Sequence, residues 1–136
     1  MIYATKQNIA DLYGEDELLR VAEVERTGEL DDAAVAAGLA NASAEIDGHI
    51  GARYPLPLAG TTPILERLCV DIALYRLALK SGPRTDEHRT RYEDAVAFLK
   101  RIADGKATIG VLPSDGEEEP EASTDSGAAI LFLSRR

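Results

Sequence analysis

The chain has few of the residues that carry most enzyme chemistry. Its 136 residues include one cysteine, two histidines, two phenylalanines and no tryptophan. A single cysteine, Cys69, cannot form a disulfide within the chain, and it excludes a metal site built from several cysteines. Because Cys69 lies between Leu68 and Val70, we interpret it as a small buried core residue of a protein from a reducing compartment.

Long apolar runs are also missing. No segment approaches the ~20 consecutive apolar residues that a membrane-spanning helix requires. Residues 1–14 have the pattern of a capped helix, not the charged start and apolar run of a signal peptide. We therefore expect a cytosolic protein with no membrane partner.

Acidic residues outnumber basic residues in both parts of the chain. The net charge is −9, of which −5 lies in residues 1–113 and −4 in residues 114–136. Such a surface repels the phosphate backbone, which argues against nucleic-acid binding as the main activity.

The chain is rich in alanine and leucine at helical spacing, a composition typical of helices and not of sandwiches or barrels. We predict helices over residues 6–13, 15–25, 33–53, 63–80 and 85–104. The expected N-caps are Thr5, Asp31 or Asp32, Thr62 and Thr85. The fold class is therefore all-α: a small bundle of short N-terminal helices and two long antiparallel helices, 63–80 and 85–104.

Apolar positions define the expected packing faces. In residues 33–53 they are Val35, Leu39, Ala42, Ile46 and Ile50, and elsewhere they include Ile9, Leu12, Tyr13, Ile64 and Leu79. Helix 63–80 is apolar over so wide an arc that we expect it at the centre, with Asp71 and Arg76 ion-paired to neighbouring helices. Three glycines favour close approach of another helix, with a hinge as the alternative; they are Gly38, Gly48 and Gly51.

A proline-rich segment, which we call the elbow, separates helices 33–53 and 63–80. It consists of Arg53, Tyr54, Pro55, Leu56, Pro57 and Leu58. Each proline lacks an amide hydrogen and pushes its predecessor towards an extended conformation, so the elbow ends the preceding helix. We interpret it as a stiff turn that shapes the fold, with direct contact to a partner as the alternative.

The C-terminal part changes composition twice. We divide the chain into a helical domain (1–113) whose last residues are β-prone, an acidic flexible linker (114–127) and a hydrophobic tip (128–136). The large apolar residues of the tip are Ile130, Leu131, Phe132 and Leu133. Two alternatives stay open: the tip folds back onto its own domain, or it docks on a neighbouring copy as an added β-strand or in a groove.

No motif predicts a catalytic, cofactor-binding or metal-binding site. His49 has no nucleophile in a recognisable motif, and His88, in a charged first turn, is expected to be solvated. A phosphate-binding glycine loop, an HExxH helix and a calcium loop are all missing. We expect a protein that is not an enzyme and needs no cofactor or metal.

Four segments, in this order, resemble a known family. They are YATKQNIADLYGEDEL (3–18), ASAEIDGHIGARYPLPL (42–58), PILERLCVDIALYRL (63–77) and RYEDAVAFLKRIADGKATIG (91–110). Over residues 2–112 the chain resembles the Mu-like phage and prophage family of small helical head–tail connector proteins, or head-completion adaptors. The most specific parts are residues 46–58, 71–76 and 92–105.

The resemblance implies a virion structural protein of the neck, present in the host cytoplasm during assembly. It implies a homo-oligomeric ring on the portal protein that gives the tail-completion or stopper protein a docking surface. DNA would pass through the channel without specific binding, which suits an acidic protein. In such a ring we expect Ile130–Leu133 to form an intersubunit contact. The alternative is a small non-enzymatic helical interaction or regulatory module of prophage origin.

Overall fold

The computed structural model describes residues 1–82 and 85–110 of the chain. Five helices account for most of them: α1 (Lys6–Tyr13), α2 (Glu15–Ala22), α3 (Asp32–Ile50), α4 (Pro63–Ser81) and α5 (Asp86–Ala103). Within these residues there is no β-sheet, and one isolated antiparallel bridge joins Glu23 to Leu30. The predicted all-α class is confirmed.

Local capping explains where most of the helices begin. In four helices a side-chain oxygen of the N-cap residue accepts a hydrogen bond from the backbone N–H three residues later. These caps are Thr5, Asp31, Thr62 and Thr85. Gly14, with φ of +95°, ends α1 and begins α2 in a conformation that favours glycine.

Helix α4 lies at the centre of the fold and packs against all four other helices. Helices α4 and α5 are antiparallel, since the start of α4 lies beside the segment that follows α5. There Thr62 donates a hydrogen bond to the carbonyl of Ile109. Midway along the pair, the rings of Tyr75 and Tyr92 stack with centroids 4.3 Å apart. Helix α3, as long as α4, packs against both α4 and α5, so the bundle contains three long helices.

The buried stripe of α3 is confirmed, since Val35, Leu39, Ala42, Ile46 and Ile50 are all buried. Cys69 of α4 is also fully buried, beside Ser43 of α3 at 3.5 Å, and burial raises the pKa of its thiol. Part of the core therefore forms where α3 meets α4, and the other helices add buried residues to the same cluster.

The three glycines of residues 33–53 have different environments. A Cβ on Gly38 would lie 3.2 Å from Cγ of Leu77, so the predicted close approach of a neighbouring helix is confirmed there. A Cβ on Gly48 would meet nothing within 4 Å, so that part of the prediction is wrong. Gly51 lies beyond the helix as the C-cap of α3.

Two helices end earlier than predicted. Helix α2 stops at Ala22 instead of residue 25, because Glu23 is extended and bridges to Leu30, and Arg26 has a positive φ of 65°. Helix α3 stops at Ile50 instead of residue 53, and residues 51–53 form turns before the first proline of the elbow.

Three residues predicted to pack in the interior are instead partly exposed: Leu12, Ile64 and Leu79. Each lies within three residues of a helix end, where the neighbouring helix no longer covers it. Helical periodicity predicts the direction in which a side chain points, but not whether the neighbouring helix extends far enough to cover it. In the last described segment, the β-prone residues 107–110 form no strand.

Candidate interaction surfaces

A polar cluster links the three long helices. Arg76 of α4 pairs with Glu45 of α3 at 2.9 Å, as predicted, and Tyr92 of α5 donates a hydrogen bond to the same carboxylate at 2.8 Å. The hydrogen bond to Glu45 raises the pKa of the Arg76 guanidinium, and burial together with Glu45 raises the pKa of Tyr92. The cluster holds α3, α4 and α5 together at one level of the bundle.

Asp71, the other charged residue predicted to form an ion pair, instead accepts a hydrogen bond from Oη of Tyr13 at 2.6 Å. Burial raises the pKa of the Asp71 carboxyl, and the hydrogen bond from Tyr13 opposes that rise. Burial and the hydrogen bond to Asp71 raise the pKa of Tyr13 to about 12. The guanidinium of Arg91 lies 4.0 Å from the centre of the Tyr13 ring. This second cluster joins α1 to α4 and α5.

The prediction that His88 is solvated is wrong, since His88 is only 2% exposed. Its Nδ1 accepts a hydrogen bond from the backbone N–H of Thr85, which leaves Nε2 to donate to Glu17 of α2 at 2.5 Å. Burial raises the pKa of Glu17, but the hydrogen bonds from Arg20 and His88 outweigh burial and hold that pKa below its usual value. The three residues join α2 to the first turn of α5.

The residues of the elbow divide between a structural part and a surface part. Tyr54 is buried, and its Oη accepts a hydrogen bond from the N–H of Ile109 at 3.4 Å. The guanidinium of Arg53 lies over Gly105, where a Cβ would be 1.9 Å from Nη1. Leu58 packs against the core. The elbow thus ties the end of α3 to the segment after α5.

Pro55, Leu56 and Pro57 form the exposed part of the elbow. Leu56 lies beside Gly51, since a Cβ there would be 3.3 Å from its Cδ1. We call the end of the bundle where α3 ends, α4 begins and α5 ends the elbow end. Among the described residues, the large apolar side chains exposed at this end are Met1, Ile2, Leu56 and Ile64.

Hydrogen bonds place the N-terminal residues at the same end. The carbonyl of Tyr3 accepts a hydrogen bond from Thr61 at 3.3 Å, and the Tyr3 hydroxyl donates one to Asp47 near the end of α3. Burial and the hydrogen bond to Asp47 raise the pKa of Tyr3. Sequence reasoning missed this surface, because Met1 and Ile2 precede the first helix and belong to no periodic pattern.

The outer face of α3 is a second unusual surface. Every exposed residue of α3 after Asp32 is uncharged, and Glu45 and Asp47 are half-buried. The exposed residues are Ala33, Ala36, Ala37, Ala40, Asn41, Ala44 and Gly48. Charged residues normally cover the solvent side of a helix. The alanines are visible in the sequence, but the signal is a lack of charge and no motif marks it.

Two further observations concern the described residues alone. Within residues 1–82 and 85–110, no three His, Cys, Asp or Glu side chains are grouped so that they could hold a metal ion. In the same part of the chain, no helix has the length and apolar character needed to cross a membrane. The linker (114–127) and the tip with Ile130–Leu133 lie outside the described residues.

These features define a small all-α protein in which polar side chains connect helices, with an uncharged helix face and an apolar end at its surface. The family model described as Bacteriophage Mu, Gp36 matches residues 3–129. The chain belongs to this family, which confirms the Mu-like phage resemblance, and it is a phage protein.

Two relatives show the extent of the similarity. The chain is 35% identical over 121 residues to "Mu-like prophage FluMu protein gp36" of Haemophilus influenzae, covering 89% of this chain and 84% of the relative. It is 36% identical over 103 residues to "Gene product J" of Escherichia phage Mu, covering 72% of each.

Proposed function

We propose that this protein is a head–tail connector subunit, which forms a homo-oligomeric ring on the portal protein and provides the surface for tail attachment. Its membership of the Mu Gp36 family supports a role in a Mu-like phage. The observation that carries the assembly part of the proposal is the uncharged outer face of α3.

Small side chains suit a protein contact for two reasons. They allow the backbones of two helices to approach closely, because no long side chain keeps them apart. They also lose little rotamer entropy on burial, since alanine and glycine have almost none to lose. An exposed helix face of this composition therefore fits the flank of a neighbouring copy better than it fits water.

The other partners follow from the connector role. The ring would contact the portal protein on one side and a tail-completion or stopper protein on the other, and Pro55, Leu56 and Pro57 are candidates for such contacts. In the ring, Ile130–Leu133 would contact a neighbouring copy. The protein would act without catalysis, cofactor or metal, at the virion neck. The net charge of −9 would let DNA pass without specific binding.

The test is to assemble phage particles without this protein. We expect DNA-filled heads and separate tails, which purified protein should join into infectious particles. Complete and infectious particles formed in its absence would contradict the proposal. A protein that stays monomeric with the portal and instead captures a host protein would favour the alternative, a small regulatory module of prophage origin.

A further inference from the structure

The elbow end combines exposed apolar residues with the point where the described chain leaves the bundle. Four of the seven large hydrophobic residues exposed in the described chain lie here: Met1, Ile2, Leu56 and Ile64. Ile2 is the most exposed of them, at 54%. Burying such side chains contributes roughly 25 cal/mol per Å² of apolar surface, so a partner that covers this end gains from it.

The described part of the chain ends beside this surface. The carbonyl of Ile109 accepts a hydrogen bond from Thr62, and the next residue, Gly110, would carry a Cβ 3.6 Å from Cδ1 of Ile64. Gly110, the last described residue, therefore lies beside one member of the apolar group. The apolar part of that sequence is Ile130–Leu133, whose side chains match the surface in chemistry.

The length of the intervening sequence allows a return to the same surface. Ile130 lies 20 residues after Gly110, which corresponds to a maximum reach of about 66 Å. If the linker is as flexible as its sequence predicts, its average end-to-end distance is about 25 Å. The elbow end of the same domain lies well within both distances.

Effective concentration favours the domain's own tip over the tip of another copy. A short flexible tether holds its end at an effective concentration on the order of 1 mM. Free copies at micromolar concentration cannot compete with it. We infer that, before assembly, Ile130–Leu133 covers the elbow end of its own domain, against Ile2, Leu56 and Ile64.

In the proposed ring, the same tip would exchange its own elbow end for a neighbouring copy, a step that rests on the proposed function. The free subunit would then keep its apolar surface covered until it meets the portal. The covering itself requires no ring and is tested on the free, full-length protein.

The test measures how fast a maleimide reagent labels cysteines introduced at two matched positions of α4. Ile64→Cys lies at the elbow end and Leu79→Cys at the opposite end, and the original side chains are similarly exposed, at 38% and 40%. Each is combined with Phe132→Asp, which removes the apolar character of the tip. The buried Cys69 reacts only if the domain opens, so it reports on folding in the same experiment.

We expect Phe132→Asp to accelerate labelling of Ile64→Cys about tenfold. This is the protection that the tip would give if it binds with a Kd on the order of 0.1 mM at an effective concentration on the order of 1 mM. Labelling of Leu79→Cys should stay unchanged. The control substitution Ser123→Asp, which adds the same charge to the linker, should not change either rate. Protection should be the same at 1 µM and 50 µM protein.

Equal labelling of Ile64→Cys with and without Phe132→Asp would overturn the inference. Protection that increases with protein concentration would mean that a second copy covers the elbow end, and this result would also overturn the inference. Neither result bears on the ring, because portal binding of the same variants is measured separately.

Discussion

Helices α3 and α5 are nearly equal in length and both pack against α4, yet their outer faces differ completely. The exposed residues of α3 after Asp32 are alanine, asparagine and glycine, whereas eight of the nine on α5 are charged or hydroxylated. These eight are Asp86, Glu87, Arg89, Thr90, Glu93, Asp94, Lys100 and Arg101. The α5 face suits water, while the α3 face suits a second protein surface. In the proposed assembly, the outer face of α5 would stay in water while that of α3 meets a neighbouring copy.

The inner faces differ as well. Helix α3 approaches α4 closely at Gly38, where the side chain of Leu77 fills the space that a Cβ would need. Helix α5 is held by polar anchors, namely Tyr92 bound to Glu45 and His88 bound to Glu17. Helix α3 thus approaches α4 closely at one position, and hydrogen bonds link α5 to α2 and to α3.

The largest expected effect separates the two outer faces. Ala40→Arg on α3 should weaken ring formation on the portal about a hundredfold or more, because it places an unpaired charge in a close contact. Ala97→Arg on α5, the matched control, should leave assembly unchanged. Both positions are exposed, so the Tm of the free subunit should stay within about 3 °C. Equal assembly by the two variants, measured by mass photometry, would remove the distinction between the faces.

The next effect concerns the polar anchor of α5. His88→Ala removes the hydrogen bond to Glu17 and part of the capping box, and it leaves a cavity between α2 and α5. We expect the free energy of unfolding to fall by about 2–3 kcal/mol in urea denaturation. The exposed neighbour Arg89→Ala should change it by less than about 0.5 kcal/mol. Similar stability of the two variants would mean that His88 does not anchor the helix.

A pair of glycines tests the inner face of α3. Gly48→Ala should stabilise the protein by about 0.5–1 kcal/mol, because alanine is the better helix former and nothing obstructs the added Cβ. Gly38→Ala should instead destabilise by about 1 kcal/mol, because its Cβ meets the buried Leu77. Thermal unfolding of both variants measures the difference, and an equal gain in Tm would show that α3 is not closely packed at Gly38.

The smallest effect is a pH dependence at the contact between α2 and α5. The folded state holds the pKa of Glu17 below its unfolded value, so this carboxylate stabilises the protein above about pH 4.5. That contribution disappears as the pH falls through the folded pKa. Glu17→Gln should therefore be less stable than the original chain at pH 6, by no more than about 1 kcal/mol, and the difference should shrink as the pH is lowered from 6 towards 3. A constant difference across this range would contradict the assignment.

Sequence alone predicted the structural features that depend on residues close together in the chain. Thr5, Thr62 and Thr85 cap helices through residues only three positions away, and the stripe from Val35 to Ile50 follows from periodicity. The burial of His88 could not be predicted, because its partner Glu17 lies 71 residues earlier in the chain.

The other departures also depend on tertiary contacts. The end of α2 depends on a bridge between Glu23 and Leu30, which no helical pattern encodes. The elbow end was missed because its apolar residues come from separate segments that meet only after folding. The face of α3 was present in the sequence as a run of alanines, but its meaning required knowledge of which side faces outward.

The most direct test of the proposed assembly is electron cryomicroscopy of this protein on its portal. We expect a closed ring in which the outer face of α3, centred on Ala37 and Ala40, is buried against the neighbouring copy while the charged face of α5 stays in water. A protein that does not bind the portal, or a ring in which that face of α3 is open to solvent, would contradict it.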